Sequence, residues 1–385
     1  MKILAIETSC DDTGIAILDV QKNSAFKVLS NIVSSQIKIH KKYGGVYPAM
    51  AKREHQRNLA PVLQKALKKA VLLKAQKSEI PNKKLEVLNK ILEREPELAK
   101  KLIPFFAKYK KPNIDLIAAT NGPGLEPCLW VGVNFAKALS YFWDIPIVPV
   151  NHIEGHILVN FLDLPAQARN KKIKFPALAL VVSGGHTQLI LMEKFGKYKI
   201  LGETRDDAAG ECFDKCAKIL GLSYPGGPEI ARLSAKFWGC RRPPELPRPM
   251  INTKDYDFSF SGLKTAVLYT DKKVKNKNLE YKKQMCAKIQ QAIIDVLIKK
   301  TMQAVKDFKV KTIILGGGVT ANEELRKQFA TAVKNLNNST AVELFVPTAN
   351  LSTDNALMTA ITGYFRRNKK IAWQKLEANA NLRLE

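Results

Sequence analysis

Phe175-Pro176-Ala177-Leu178-Ala179-Leu180-Val181-Val182-Ser183-Gly184-Gly185-His186-Thr187-Gln188-Leu189-Ile190-Leu191-Met192 is an apolar run, a polar turn and a second apolar run. Short runs that stay apolar instead of alternating belong to strands covered on both faces. The chain begins the same way, with Ile3-Leu4-Ala5-Ile6, a polar turn from Thr8 to Gly14, and Ile15-Ala16-Ile17-Leu18. One such hairpin opening each half predicts a duplicated α/β architecture of two sheet-and-helix lobes. Gly184 and Gly185 leave room for backbone N–H groups to approach a ligand. The first turn, Glu7-Thr8-Ser9-Cys10-Asp11-Asp12-Thr13-Gly14, is rich in hydroxyls and carboxylates. Such a tip can cradle phosphate or metal-bound phosphate; ordinary turns use the same side chains.

At 385 residues the chain exceeds one small core. The expected divisions are a first lobe over 1–172 with a helical insertion at 71–112, a second lobe over 173–350, and a C-terminal helix within 351–385 that returns to the first lobe. The opening Met1-Lys2-Ile3-Leu4-Ala5-Ile6-Glu7 turns acidic too soon for a signal peptide, and no window offers the ~20 apolar residues of a membrane helix. Cys10, Cys128, Cys212, Cys216, Cys240 and Cys286 are scattered, which predicts reduced thiols in a cytoplasmic protein with no membrane partner. Lys and Arg number 62 against 35 Asp and Glu, a formal net charge of +27. A field of that sign makes nucleic acid the first partner class to consider and an anionic membrane surface the second.

After Gly44-Gly45-Val46-Tyr47-Pro48 comes a helical run from Met50 to Lys69, expected to break at Pro61. Residues 71–112 carry one amphipathic stripe (Leu85, Leu88, Ile91, Leu92), a break at Pro96 and another stripe (Leu98, Leu102, Ile103, Phe106). This helical hairpin holds ten Lys and one Arg against five Glu. It reads either as a solvated face or as an arm turned to RNA or a partner. A helix is expected from Asp206 to Leu220, with acidic residues in its first turn and an Asp214–Lys218 pair. Tyr224-Pro225-Gly226-Gly227-Pro228 reads as a rigid turn able to lie under a flat ligand. Thr312 to Asn322 is a strand running into glycines and a helix start, a geometry suited to anions.

Asn151-His152-Ile153-Glu154-Gly155-His156 carries two of only five histidines in the chain. Four residues apart on a helix, their rings share one face and can share a metal, although a bare pair at this spacing is also an ordinary helix surface. It falls past the end of Ile145–Val150, where open α/β sheets keep their sites. Asp354, at the start of the apolar run Ala356-Leu357-Met358-Thr359-Ala360-Ile361, reads either as an N-cap or as an oxygen ligand completing the two histidines. His40 and His55 have no partner at ligand spacing. Asp11, on the first hairpin, is the candidate general base.

Several motifs now fall in an order that resembles the TsaD family, the tRNA N6-adenosine threonylcarbamoyltransferases. They are Glu7-Thr8-Ser9-Cys10-Asp11, Asn151 to His156, Ser183 to Thr187, Asp214-Lys215 and Tyr224 to Pro228. The order continues with Phe258-Ser259-Phe260-Ser261-Gly262-Leu263-Lys264-Thr265, which looks like the bacterial branch, then Gly316-Gly317-Gly318 and Ser352-Thr353-Asp354-Asn355-Ala356. The resemblance covers roughly 1–70 and 113–365 and leaves out 71–112. It implies an actin-like, hexokinase-like two-lobed fold and transfer of threonylcarbamoyl from threonylcarbamoyl-AMP to N6 of the tRNA adenosine beside the anticodon, position 37, in tRNAs reading codons that begin with A. It also implies one divalent ion, iron or zinc, on His152, His156 and Asp354. The adenylate would sit on Val181, Val182, Ser183, Gly184, Gly185, Asp214, Gly227 and Asn322, and TsaB-like and TsaE-like proteins would be partners.

The alternatives are a metal-dependent peptidase and a small-molecule kinase of the same fold. A zincin needs its carboxylate one residue from a histidine, whereas Glu154 lies two after His152, about 200° around a helix, and points away. A kinase explains the glycines and Asp11 but leaves the histidine pair, Asp354 and the charge without a role.

Overall fold

The computed structural model describes residues 1–21, 25–162, 173–237, 246–336 and 341–384. Cys240 and the expected boundary at 172 lie outside them. In chain order the elements are β1 (Lys2–Glu7), β2 (Asp12–Val20), β3 (Phe26–Ser35), α1 (Ile37–His40), α2 (Pro48–Lys69), α3 (Asn82–Ile91), α4 (Pro96–Lys108), β4 (Leu116–Gly122), α5 (Glu126–Trp143), β5 (Ile147–Asn151) and α6 (His152–Leu158). There follow β6 (Ala177–Val182), β7 (Thr187–Lys194), β8 (Lys197–Glu203), α7 (Ala209–Ile219), α8 (Gly226–Ser234), α9 (Ser261–Lys273), α10 (Leu279–Asp307), β9 (Thr312–Gly316), α11 (Glu323–Leu336), β10 (Glu343–Phe345), α12 (Ala349–Ser352) and α13 (Ala356–Phe365). Two compact units result. The first holds described residues within 1–39, 46–169 and 354–383, the second those within 40–45, 170–353 and 384–385.

Each unit is built on a five-stranded sheet, in the order β3-β2-β1-β4-β5 in the first and β10-β9-β6-β7-β8 in the second. Numbered within its unit, either sheet runs third, second, first, fourth, fifth. The first three strands are antiparallel and the last two join in parallel. The two hairpins read from the sequence are the centre of each sheet. Their ladders run from Lys2↔Asp19 to Glu7↔Gly14 and from Ala177↔Met192 to Val182↔Thr187 without a slip. Both faces of β1 and β6 are covered, which is why their sequences do not alternate. In the first unit Leu4, Ile6 and Ile17 pack with Leu59, Phe106 and Phe135 of the helices. In the second, Leu178 and Leu180 join Phe213, Ile230 and Ile293.

Three local expectations need correction. The helix through Pro61 is unbroken from Pro48 to Lys69. Proline removes the N–H that would serve the Arg57 carbonyl one turn back, and the Lys101 ammonium of α4 donates to that oxygen instead, at 2.8 Å. The helix expected from Asp206 begins at Ala209. Asp206 is drawn off to accept from the Ser259 and Ser261 hydroxyls (2.6 Å each) and the Phe260 and Ser261 amides (2.8 and 3.3 Å). Asp214, on the same helix, accepts from the Gly226 amide at 2.6 Å. Tyr224–Pro228 is no free turn, because Gly226 already starts α8. A Cβ on Gly226 would lie 2.5 Å from that of Ala217, so the glycine is what lets α8 close on α7.

Candidate functional site

The first unit assembles its site from the ends of three elements. β5 ends at Asn151, whose Oδ1 accepts from the Ile153 and Glu154 amides at 2.8 and 3.2 Å and so caps α6. The cap makes His152 the first helical residue and sets His156 one turn on, with ring centroids 4.7 Å apart. α13 brings the third group. Its N-cap is Asn355, which accepts from the Leu357 and Met358 amides at 3.0 and 3.4 Å. Asp354 is therefore not the cap. Its Oδ1 stands 3.2 Å from Nε2 of His156 and 3.7 Å from Nε2 of His152.

One ligand atom from each of these three residues lies within 4.8 Å of the others. Both histidines are buried and Asp354 is half-buried. Neither ring nitrogen of His156 makes a hydrogen bond among the described residues. Burial opposes a charge on His152, yet the carboxylates of Asp354 and Glu7 outweigh it and raise the imidazole to about 9. The position thus favours positive charge, and two imidazoles with one carboxylate form the donor set of an open zinc or iron site. The residues fit a divalent ion.

Behind the ring stands a carboxylate whose role the local sequence does not reveal. Glu7, at the end of β1, is fully buried. Its Oε1 accepts from the Ser9 amide at 2.8 Å, and its Oε2 accepts from the hydroxyls of Thr120 (2.6 Å) and Thr359 (3.2 Å). Oε2 also lies 3.5 Å from Nδ1 of His152, and Ser9 Oγ lies 3.0 Å from the same nitrogen. Burial alone would raise this carboxyl, but the charge and hydrogen bond of His152 carry it below the ordinary value. A carboxylate facing Nδ1 favours the tautomer with its proton there, leaving the Nε2 lone pair toward Asp354. Glu7 joins β1, β4 and α13 to the imidazole in one network. The only signal in the sequence is a lone acid ending an apolar strand.

A second tie holds α6 and α13 together. Arg366, at the end of α13, reaches the buried Glu154 carboxylate through Nε (3.0 and 2.9 Å) and Nη2 (2.9 Å). Glu154 therefore faces away from the histidine nitrogens. His55 of α2 is structural, tying the helix to the first hairpin through Thr13 Oγ1 at 2.8 Å and the Cys10 carbonyl at 2.9 Å. Asp11 sits at that hairpin's tip beside Asp12. Burial, helped by the Asp354, Asp11 and Glu7 charges, pushes Asp12 up to about 7 against a Ser35 hydrogen bond. One Asp12 oxygen is buried without a hydrogen bond among the described residues.

The residues expected to hold an adenylate all belong to the second unit. Val181 and Val182 end β6, and the turn after them is closed by the Ser183 amide to the His186 carbonyl at 2.8 Å. Gly184 and Gly185 are exposed, with open space where a side chain would stand. The start of α7 reaches this turn, the Gly210 amide donating to the Ser183 carbonyl at 3.1 Å. Asp214 and Gly227 meet at the start of α8 through the Gly226 amide. Asn322 spends its side chain on the Leu325 amide (3.0 Å) and Gln290 (2.7 Å). Cys212 and Cys216 are packed thiols 3.9 Å apart at sulfur. Among the described residues no helix is long and apolar enough to cross a membrane.

The chain is 42% identical over 385 residues to a tRNA N6-adenosine threonylcarbamoyltransferase of Thermosipho africanus, covering 100% of both chains. It is 41% identical over 390 residues to the protein of that name in Persephonella marina, covering 100% of this chain and 96% of the relative. Full-length HypF in its phosphate- and nucleotide-bound form superposes with a TM-score of 0.51 at 12% identity, over 97% of this chain and 47% of that one. This likeness, with the repeated sheet order, is that of the actin-like, hexokinase-like fold. The sequence model of the TsaD family matches residues 27–80 and 96–361. The stretch it skips internally is 81–95, α3 and its flanks, narrower than the 71–112 expected. With more than half its length matched, the chain belongs to the TsaD family, tRNA N6-adenosine threonylcarbamoyltransferase.

Proposed function

We infer that this chain moves a threonylcarbamoyl group from threonylcarbamoyl-AMP to N6 of the tRNA adenosine at position 37, beside the anticodon, in tRNAs reading codons that begin with A. Family membership supports the reaction class, and the observation that carries the site assignment is the convergence of His152, His156 and Asp354. These three would hold one divalent ion, iron or zinc, which when bound supplies Lewis-acid polarisation of the donor carbonyl. Val181, Val182, Ser183, Gly184, Gly185, Asp214, Gly227 and Asn322 hold the adenylate half of the donor.

The exocyclic amine of adenine is a weak nucleophile because its lone pair is delocalised into the ring. Attack forms the N6–carbonyl carbon bond, breaks the bond from that carbon to the phosphate oxygen, and releases AMP with one proton from N6. Asp11 is the proposed acceptor of that proton. Asp12 is a second candidate, because a carboxyl held at about 7 is matched to general-base work near neutral pH. The anticodon loop presents its bases unpaired, so reaching the adenosine takes little unstacking. The net charge of +27 favours the tRNA backbone. We place the enzyme in the cytoplasm with TsaB-like and TsaE-like partners.

The test is reconstitution. The purified chain is incubated with unmodified tRNA, threonine, bicarbonate, ATP, a threonylcarbamoyl-AMP synthase and candidate partners, and the digested nucleosides are weighed. Threonylcarbamoyladenosine should form, and chelation should abolish its formation. Its absence from a mixture that a working relative rescues would overturn the reading. Full activity in Asp11→Ala would move the proton acceptor elsewhere.

A further inference from the structure

The segments that flank α3 and α4 close on each other through a short antiparallel ladder that their sequence does not announce. Ala75 bridges Tyr109, the Gln76 amide donates to the Lys108 carbonyl at 2.8 Å, and the Lys110 amide donates to the Lys74 carbonyl at 2.9 Å. This register sets Lys74 directly opposite Lys110, with Lys108 diagonal to Lys74 on the same face. Lys77 and Lys111 flank this set, at positions that strand alternation places on the other side of the ladder. All five lysines are exposed. Among the described residues no carboxylate lies within 4 Å of any of these ammonium groups, although such ion pairs are common elsewhere on the surface. Neither 73–78 nor 106–112 contains an acid.

Like charges placed directly opposite on a ladder destabilise it. Solvation explains single lysines, but it gives no reason to stack them across a pairing with no counter-charge. A ligand bearing several regularly spaced negative charges does.

We propose that the ladder of Lys74, Lys77, Lys108, Lys110 and Lys111 is a docking surface for the phosphate backbone of the tRNA substrate. This rests on the functional reading above and adds to it a site at the base of the α3–α4 hairpin. Lys111 donates to the Asp144 carbonyl at 3.1 Å and the Lys108 ammonium lies over the Tyr109 ring, 5.6 Å from its centroid, so these two are partly engaged. RNA is favoured over an anionic membrane because the ladder brings charge without an accompanying apolar face. The aromatic at its centre, Tyr109, is turned inward against Phe105 and accepts a hydrogen bond from Gln64.

The experiment measures binding of an unmodified tRNA transcript by the full chain across a range of KCl concentrations. The wild type is compared with a Lys74→Gln, Lys77→Gln, Lys108→Gln, Lys110→Gln variant and with Lys110→Glu. Every phosphate that a variant no longer neutralises should flatten the slope of log affinity against log salt by roughly 0.7–0.9. The fourfold variant should bind about tenfold or more weakly at 0.1 M salt, with KM for tRNA raised and kcat at saturating tRNA unchanged. Lys110→Glu turns a repulsion into an ion pair with Lys74, so it should raise the melting temperature at low salt while weakening tRNA binding. A merely structural role would not move those two readouts in opposite directions.

Equal affinity and equal salt slope in wild type and both variants overturn the proposal, whether or not the chain modifies tRNA. Loss confined to vesicles of anionic lipid, with tRNA binding intact, overturns it as well. If the variants lose tRNA affinity and slope while no protein forms threonylcarbamoyladenosine, the docking surface stands and the functional reading falls.

Discussion

Replacing Glu7 by Gln changes one oxygen to an amide nitrogen at nearly constant volume, in a site with no access to water. The wild-type carboxylate faces four donor groups: the Ser9 amide, the Thr120 and Thr359 hydroxyls, and Nδ1 of His152. The glutamine oxygen can keep only one side of this arrangement. If it stays with the Ser9 amide, the new NH2 confronts Nδ1. The hydroxyls can turn and accept, but the imidazole relieves the clash only by moving its proton to Nε2, the nitrogen aimed at Asp354. That proton occupies the lone pair a metal needs. Partners of this kind behind a ligand change metal affinity by ~10–100-fold, equivalent to about 1.4–2.7 kcal/mol. Competition against a chelator of known affinity, with zinc or cobalt, reads this directly on the wild type and Glu7→Gln, with circular dichroism to verify the fold. A dissociation constant within twofold of wild type would show that Glu7 does not orient the ring.

Three further outcomes follow from the same interactions. Asp354→Ala should weaken metal binding at least ~100-fold, whereas Asn355→Ala, which removes the cap of α13, should lose ~1 kcal/mol in denaturant titration with or without metal; metal affinity unchanged in Asp354→Ala would show that its carboxylate is not a ligand. Arg366→Met takes the guanidinium away from the buried Glu154 carboxylate and should cost ~3–5 kcal/mol, most of it recovered when Glu154→Met is added, since a matched apolar pair needs no counter-ion; a single-variant loss below ~1 kcal/mol refutes this. In chelator, Asp12 holds its proton to about 7 when folded and to 3.8 when unfolded, so between those values the native state binds more protons and stability falls as pH rises. The loss, on the order of a few kcal/mol, is complete above about 7 and absent below 3.8. Asp12→Asn should melt like wild type at acid pH and higher at pH ~8, and parallel profiles would contradict the assignment.

What the sequence makes legible is whatever local pattern decides. The central hairpins are legible because strands buried on both faces write continuous apolar runs, and the histidine pair is legible because helical spacing is local. Glu7 is not, because its meaning depends on Thr359, 352 residues away. Pro61 misleads because the group that rescues its orphaned carbonyl, Lys101, lies on another helix. Asp206 looks like dipole-favouring acid in a first turn until the Ser259–Ser261 segment claims it. Lysines 74 and 110 are 36 positions apart in the numbering, and only the bridge at Ala75 and Tyr109 makes them neighbours. In each case a partner distant in sequence outweighs a local propensity.

The proposed metal set depends on how α13 is held, and Asn355, Thr359 and Arg366 answer that. Asn355 fixes where the helix starts, and so leaves Asp354 just outside it, facing the histidines. Thr359 anchors to Glu7, and Arg366, about two turns further along the same face, anchors to Glu154. Every residue from Ala356 to Gly363 is buried, so this helix is apolar all round and has no stable existence apart from the unit it packs into. Its docking is therefore driven by burial, and the ligand geometry is prepared before any ion arrives. That is the opposite of small metal-folded domains, where binding energy is folding energy. Hydrogen exchange separates the two cases. The α13 amides should stay protected in chelator nearly as well as in the metal-loaded protein, and their exchange at open-chain rates on metal removal would show that the ion, not the core, holds Asp354 in place.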